Sequence, residues 1–268
     1  MEKKVYEWKI MGIFGSVEPL SDYFPTKAFV RATALMRSFL IAERDRLDAL
    51  ALTRNREKAI DNENLVSEMP SILSFCEGYQ NLFMRYLTAV MPQHPHGVRC
   101  GPGCGNCCKH FPMSVEPFEL IFLYAFLRTS DSLLDSLEKC LSRTHRFYAI
   151  REKAEGEGGG DPEEKALHAY FNEGHPCPFI LQSGSCGVYE HRPVTCRMYF
   201  SETDPQFCVS EYLQTERNRS FIVYLPDDIE ELIADISTHY ESLALPESLY
   251  DGLLAMNSME SAFTQGHL

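Results

Sequence analysis

The stretch from Cys100 to Cys108 constrains this chain more than any other, because it places four thiols within nine residues. Glycine, proline and asparagine fill its gaps and let the backbone turn tightly around a small object. Thiolates bind zinc and iron–sulfur clusters in preference to hard cations. With a second segment rich in turn residues, the pattern predicts one metal-binding unit of eight cysteines, holding an iron–sulfur cluster, iron or zinc in one or two centres. The predicted ligands are Cys100, Cys104, Cys107, Cys108, Cys177, Cys186, Cys196 and Cys208.

The adjacent pair Cys107 and Cys108 favours two neighbouring centres over one. Successive side chains diverge in most backbone conformations, so these two thiols are not expected to sit equivalently on one tetrahedral ion. One partition gives four thiolates to each of two metals, and another gives a cluster with spare cysteines. The sequence leaves both partitions open.

The composition is that of a globular protein with a sizeable core, at 268 residues and 44% hydrophobic content. A formal charge of -13 disfavours nucleic acid as a partner, because phosphate binding needs clustered Lys and Arg. The N-terminus meets Glu7 and Lys9 before any apolar run and resembles a signal peptide poorly. The longest apolar run, residues 120–127, is shorter than the roughly 20 residues that span a bilayer. We therefore expect a cytoplasmic protein with reduced thiols and no membrane partner; its oligomeric state stays open.

Apolar residues at helical spacing predict a mainly α fold, a helical scaffold around an irregular cysteine-rich centre with little or no β-sheet. Thr26 and Ser114 are expected to be N-caps, and a second helix is expected to begin near Pro70. The acidic, glycine-rich stretch 155–164 is expected to be a mobile loop.

Three segments are expected, together forming one compact domain. They are an N-terminal helical segment over 1–95, a metal-binding cysteine region over 96–214 and a C-terminal helical segment over 215–268. Cys76 and Cys140 lie on apolar helix faces and are interpreted as core residues.

Other polar residues near the cysteines are weaker candidates for the chemistry. Lys109, Arg192 and Arg197 can compensate thiolate charge, and glycine amides such as that of Gly187 can hydrogen-bond the sulfurs. Tyr189 is expected in the core. Three histidines are close to the cysteines in sequence and could be extra ligands or acid–base groups, although a surface or supporting role is commoner: His110, His175 and His191. Two loop histidines are expected to be solvated: His94 and His96.

The order and spacing of the eight cysteines resemble those of the YkgJ-like cysteine-cluster family, described as a zinc- or iron-chelating domain and labelled CxxCxxCC. The resemblance covers about residues 98–210, and its first spacing is three residues where the label has two. It rests on these motifs: Cys100-x3-Cys104-x2-Cys107-Cys108, Cys177-Pro-Phe, Cys186-Gly-Val-Tyr-x-x-Arg-Pro-x-x-Cys196-Arg and Cys208. Flagellin lysine methylases carry a similar domain, so the resemblance implies an enzymatic role in modifying a protein, such as lysine methyl transfer, with a protein partner or protein substrate, as one option.

Two alternatives stay open beside an iron centre with redox or catalytic use. One is a structural zinc adaptor without catalysis, since closed zinc sites take four protein ligands. The other is a radical S-adenosylmethionine enzyme, because the spacing of the first three cysteines matches its cluster motif. A β/α barrel pattern is missing for that enzyme, Asn106 stands where an aromatic residue is common, and five cysteines would be unused. The sequence has no nucleophile elbow, phosphate loop or HExxH pattern, so it assigns no catalytic residue.

Overall fold

A computed structural model describes residues 26–93, 97–101, 103–212 and 215–264. The expectations for the N-terminal residues Glu7 and Lys9, and for His94 and His96, lie outside these ranges.

Helices dominate the described residues, which confirms the mainly α expectation. The helices are α1 (Lys27–Thr53), α2 (Leu65–Val90), α3 (Pro117–Leu127), α4 (Leu133–Glu157), α5 (Pro162–Asn172), α6 (Asp227–Thr238) and α7 (Leu249–Thr264). Strands β1 (Tyr199–Ser201) and β2 (Ser220–Ile222) form a small antiparallel sheet within the described part of the chain. Among the described helices, none combines the length and hydrophobicity needed to cross a membrane.

Helix α3 joins two helical layers. Helix α1 packs against α2 and α6, whereas α4 packs against α5 and α7, and α3 contacts both α2 and α7. Phe118, Leu120, Ile121 and Leu123 on α3 are all completely buried. A helix that is apolar around most of its circumference is expected at such a central place.

The helix starts show where local sequence rules hold and where they fail. The Thr26 hydroxyl accepts a hydrogen bond from the Phe29 amide at 3.2 Å, so the predicted cap is confirmed. Helix α2 begins at Leu65, and the expected start near Pro70 was wrong. A turn starts the helix early, with the Leu65 amide donating to the Asp61 carbonyl at 2.9 Å. Pro70 lies inside the helix, at its sixth residue, where it provides no amide for a backbone hydrogen bond.

Two other local predictions were wrong. Ser114 has φ 56° and Glu116 is the N-cap of α3, so Ser114 does not cap this helix. The stretch 155–164 is not one loop, because α4 continues to Glu157 and α5 starts at Pro162. Asp161 caps α5 by accepting from the Glu163 amide at 3.0 Å, which explains the early start.

The two cysteines interpreted as core residues are confirmed as such. Cys76 and Cys140 are both fully buried, and the Cys76 Sγ lies 3.2 Å from the Phe118 carbonyl oxygen. Burial raises the pKa of each thiol well above its ordinary value, which keeps both thiols neutral.

A buried carboxyl connects α3 to the cysteine-bearing segment. Glu119 is 1% exposed, and its Oε1 accepts a hydrogen bond from the Val194 amide at 2.8 Å. Burial raises the pKa of Glu119 to about 8, and that hydrogen bond opposes the change. The neighbouring Glu116, which accepts a hydrogen bond from Ser237, has a pKa raised by burial to about 7.

An arginine completes the connection on the side of α2. The buried Arg197 donates to the Gln80 Oε1 at 3.2 Å and to the carbonyl oxygens of Arg192 and Tyr189 at 3.0 and 2.6 Å. A charged donor that satisfies several buried carbonyls fixes the path of the backbone around it. The segment around residues 189–197 is thus held against both α2 and α3.

The Glu119 pKa predicts a pH dependence of folding stability. The folded pKa lies above the ordinary value of 4.5, so between these values the folded state holds a proton that the unfolded state has lost. Stability should therefore fall as pH rises through this window, by an amount on the order of a few kcal/mol. The Glu119→Gln variant keeps an acceptor for Val194 without the charge, so its free energy of unfolding should fall less between about pH 5 and about pH 9 in denaturant titrations.

The matched control is Glu138→Gln, which alters an exposed residue of α4 and should leave the pH profile unchanged. If the unfolding free energy of Glu119→Gln changed with pH in parallel with that of the unsubstituted chain, the raised pKa of Glu119 would be contradicted.

Candidate metal centre

The first four-cysteine neighbourhood is formed where the 97–110 loop meets strand β1. The Cys104 amide donates to the Gly101 carbonyl at 3.1 Å, and the Cys108 amide donates to the Gly105 carbonyl at 3.2 Å, so the loop turns back on itself twice. The Ser201 amide donates to the Cys100 Sγ at 3.2 Å. The Cys100 thiol therefore faces the end of β1.

Cys208 joins this neighbourhood from a distant part of the chain. The Asn106 side-chain amide donates to the Pro205 carbonyl at 2.7 Å, which ties the loop to the turn that carries Cys208. The Cys208 Sγ lies 3.8 Å from the Ser220 Oγ on β2. Four cysteines line one open cleft here, and we name them the outer group: Cys100, Cys104, Cys107 and Cys208.

Three thiols of the outer group have raised pKa values: Cys100, Cys104 and Cys107. Burial raises the pKa of Cys100 to about 11; the Ser201 amide opposes this, and the three other outer thiols add to it. Burial also raises the pKa of Cys104, opposed by the Asn106 amide and the Lys109 charge. Their mutual influence shows that these thiols lie within electrostatic range of one another. A bound cation would reverse the repulsion and favour thiolates.

The second neighbourhood is built by a tight hairpin and a short 3₁₀ turn. The Leu181 amide donates to the Ser185 carbonyl at 2.9 Å, and the Gly187 amide donates to the Phe179 carbonyl at 2.8 Å. This hairpin brings together Cys177 and Cys186, and the turn Val194–Arg197 adds Cys196. We name Cys177, Cys186 and Cys196 the inner group, because all three pack against the main hydrophobic core.

Electrostatic coupling links the inner thiols as well. Burial raises the pKa of Cys196 strongly, and Cys177, Cys186 and Cys107 contribute to the increase. Burial raises the pKa of Cys177 to about 11, opposed by hydrogen bonds from the Phe179 amide and the Tyr250 hydroxyl. The inner thiols thus influence one another in the way that the outer thiols do.

The side chains of the adjacent cysteines contact each other, although they were expected to diverge. The thiols of Cys107 and Cys108 are hydrogen-bonded, and this contact is the largest cause of the raised pKa of Cys107. Because Cys107 also acts on Cys196, it borders the inner group while it lines the outer cleft.

A close backbone contact brings the two cysteine-bearing loops together. A Cβ placed on Gly184 would lie 2.8 Å from the Gly103 carbonyl oxygen, and both glycines have positive φ. A side chain at Gly184 is therefore excluded both by contact and by conformation. The loop of the outer group packs directly on the hairpin of the inner group.

Residues 99–216 match the family model CxxCxxCC, described as "Putative zinc- or iron-chelating domain". The match confirms the predicted family resemblance. No curated protein and no solved structure matches the chain.

Two arginines of the structure fit a negatively charged centre in the matched segment. The Nε atoms of Arg192 and Arg143 are both buried and have no hydrogen-bond partner among the described residues. Arg192 lowers the pKa of Cys107 and Cys196, and Arg143 lowers that of Cys177. Buried donors without a partner call for a nearby acceptor, and metal-bound thiolates are such acceptors.

The proposed metal ligands are all sulfur atoms, and as placed they do not form a coordination shell. Among the described residues, no three His, Cys, Asp or Glu side chains are placed as a group that could hold a metal ion as they stand. The fold gathers the eight thiols into adjoining neighbourhoods without closing a coordination shell. The residue types and the neighbouring cationic side chains fit zinc or iron. To complete a coordination shell, the thiol side chains would have to rotate toward one another.

The three candidate histidines occupy different surroundings. His110 lines the outer cleft and stacks on Phe171 with 4.2 Å between ring centroids; burial lowers its pKa to about 3. The His175 Nε2 lies 3.0 Å from a carboxylate oxygen of Glu173. His191 stacks on Phe126 with 4.0 Å between centroids. His110 is thus the histidine that the fold places at a cysteine group.

Several supporting residues differ from the predicted ones. Tyr189 is 45% exposed, so its core assignment was wrong, and Arg192 lies over its ring at 4.6 Å. The Gly187 amide bonds the Phe179 carbonyl and not a sulfur. Arg197 bonds Gln80 and backbone carbonyls, whereas Lys109 and Arg192 do act on thiols as predicted.

Sequence reasoning missed two residues that contact the inner group from other helices. Tyr250 on α7 donates its hydroxyl to Cys177, and Arg143 on α4 provides the charge beside it. Neither residue is near a cysteine motif in sequence. The apolar periodicity of α4 and α7 was the one available signal, because it predicted helices that pack against the domain.

Replacement of Gly184 tests the contact between the two loops. Gly184→Ala should force the hairpin away from Gly103, so the variant should bind less zinc per chain and have a lower melting temperature. Gly174→Ala is the matched control, since Gly174 also has positive φ, at 70°, but a Cβ there would meet nothing within 4 Å. Equal losses in the two variants would show that backbone conformation alone, and not the loop contact, matters.

Proposed function

We propose that this chain chelates zinc or iron in two adjoining centres, each bound by four thiolates. The outer group forms one centre, and the inner group forms the other with Cys108 as its fourth ligand. The family description supports metal chelation in this segment. The observation that carries the two-centre proposal is that Cys107 lines the outer cleft and also contributes to the raised pKa of Cys196 in the inner group.

The partition assigns the adjacent cysteines to different centres. Cys107 lines the cleft of the outer group and Cys108 does not, so we assign Cys108 to the inner group. Four thiolates form the closed tetrahedral shell that is usual for structural zinc and for cluster iron. The assignment uses every cysteine of the family motif once and leaves out Cys76 and Cys140, which are fully buried in the helical core.

Charge balance supports the same arrangement. Four thiolates on a divalent ion leave a net charge of about -2 at each centre, which is costly in a partly buried place unless cations are near. Arg192 acts on both groups, Arg143 acts on the inner group and Lys109 acts on the outer group. In a chain of formal charge -13, these three cations lie where thiolates would gather.

The bound metal would supply cross-links across a region with little regular structure. A structural zinc contributes about 10 to 16 kcal/mol of apparent binding free energy, and a typical domain has a total stability of about 5 to 15 kcal/mol. The segment between Cys100 and Cys208 contains α3 to α5 but holds its cysteines in loops and short turns. We propose that chelation stabilises this segment, whether the metal is zinc in a structural role or iron in a redox role.

Metal analysis with cysteine variants tests the partition. The anaerobically purified chain should bind two zinc equivalents, or the iron of two cluster sites with a brown colour and visible absorption. Cys208→Ser should lose one centre, Cys186→Ser should lose the other, and the spectrum or stoichiometry should halve in each case. The controls Cys76→Ser and Cys140→Ser should keep full metal content in their folded fractions. A single centre that survives Cys186→Ser and Cys208→Ser alike would contradict the partition.

Metal removal tests the stabilising role. A strong chelator should collapse the near-UV circular dichroism of the aromatic residues packed at the domain, such as Phe111, Phe147 and Tyr250. The far-UV signal of α1 and α2 should persist in larger part, because these helices pack against α6 and lie outside the matched segment. An apoprotein with an unchanged near-UV signal and melting temperature would contradict the proposed stabilising role of the metal.

A further inference from the structure

Helix α4 carries three exposed apolar side chains on one face. Leu134, Leu141 and Tyr148 are 77%, 42% and 45% exposed. They recur every seven residues, and side chains at that spacing lie in one row along a helix. Exposed apolar residues that are scattered singly need no explanation, whereas a row of them indicates a contact surface. We name these three residues the α4 stripe.

The α4 stripe is separate from the residues that bury α4 in the fold. The helix packs against α5 and α7, and its buried residues include Leu137, Cys140 and Phe147. At one end of the stripe, the Tyr148 hydroxyl lies 3.2 Å from a carboxylate oxygen of Asp251 on α7. The described residues therefore leave the stripe largely uncovered, although one of its rings is held at the α7 border.

Two exposed polar residues lie on the same face of α4 as the stripe. Glu138 lies between Leu134 and Leu141, and His145 lies between Leu141 and Tyr148. The pattern is nearly symmetric about Leu141. Leu134 and Tyr148 are equally far from it along the helix, and Glu138 and His145 are almost equally far from it. A second α4 that runs in the opposite direction would thus place unlike residues opposite each other.

We propose that the α4 stripe is an interface with a second copy of this chain, in which the two α4 helices pack antiparallel about a two-fold axis at Leu141. Leu141 then meets Leu141 of the partner subunit, and Leu134 meets the partner's Tyr148. Glu138 lies opposite the partner's His145, whose ring N–H can donate to the carboxylate. The two-fold axis makes the last two contacts occur twice.

Charge favours the antiparallel pairing over a parallel one. A parallel pair would place Glu138 beside Glu138 of the partner subunit, and like charges at such positions repel. On the flank of the same face, Asp135 and Arg146 are at opposing positions of the antiparallel pair, and both side chains are more than half exposed. Asp135 also bonds Lys139 at 2.5 Å and Arg146 bonds Glu173 within the chain, so each can add the partner's charge to an existing ion pair.

The proposed contact is small and independent of the metal centres. The overlap between Leu134 and Tyr148 corresponds to about 21 Å of helix, which is at the low end of specific interfaces. We therefore expect a weak dimer whose population depends on protein concentration. None of the eight proposed metal ligands lies in α4, so the inference goes beyond the proposed function and does not rest on it.

Sedimentation velocity of the full chain at about 1 to about 300 µM tests the self-association. The average mass should rise with concentration from 30.6 kDa toward twice that value. Leu141→Glu and Leu141→Lys should each weaken dimerisation about tenfold or more, because each places like charges at the axis. An equimolar mixture of the two variants should dimerise again, since opposite charges then meet. The matched control is Leu52→Glu, which alters an exposed leucine at the end of α1 and should leave dimerisation unchanged.

A second pair of substitutions tests the direction of the helices. Leu134→Glu combined with Tyr148→Lys should dimerise more tightly than either single variant, because the antiparallel arrangement brings their opposite charges together. A parallel arrangement would bring like charges together and would make the combined variant the weakest of the three. All variants alter exposed positions and should keep the far-UV circular dichroism of the unsubstituted chain.

Three results would overturn the proposal. The first is a chain that remains monomeric over the whole concentration range, and the second is a dimer that Leu141→Glu does not weaken. The third is a combined variant that dimerises less than both single variants. If the chain were monomeric and Leu141→Glu lowered its melting temperature, the stripe would be covered by another segment of the same chain, and the proposal would likewise fail.

Discussion

The hydrogen bond from the Val194 amide to the buried Glu119 carboxyl is the contact on which the cysteine segment depends. It attaches the turn that carries Cys196 to α3, the helix that joins the two helical layers. Arg197 secures the other side of the same turn through Gln80 on α2. A segment with so few backbone ladders needs such fixed points, since each buried polar group must find a partner. The inner group can then be completed by the hairpin that carries its other two thiols.

The fold was largely predictable because its helices have strong apolar periodicity. The mainly α architecture, the cap at Thr26 and the core positions of Cys76 and Cys140 all followed from local pattern. Two helix starts were predicted wrongly: a turn starts α2 ahead of Pro70, and Ser114 takes a left-handed conformation. The turn at Asp61 is local and was overlooked, whereas at Ser114 the following amide, of Val115, donates to the Glu247 carbonyl, a contact with a residue distant in sequence that local rules cannot weigh.

The candidate site was predictable in its residue types and not in its grouping. The adjacency of Cys107 and Cys108 predicted two centres, which stays a prediction. Spacing could not join Cys208 to the first loop, a contact that depends on Asn106 and Pro205. The contributions of Tyr250 and Arg143 were also hidden, since both come from helices packed against the domain. The spacing of cysteines in a sequence predicts candidate metal ligands. Which thiols are neighbours, and which cations lie beside them, depends on tertiary packing.

X-ray absorption at the metal edge of the anaerobically purified chain tests the central claim most directly. The account predicts sulfur as the sole ligand type, with about four sulfurs at about 2.3 Å around each zinc. For iron, it likewise predicts a shell of sulfur alone. A nitrogen or oxygen scatterer in the first shell, such as the ring of His110, would contradict two centres built from eight thiolates.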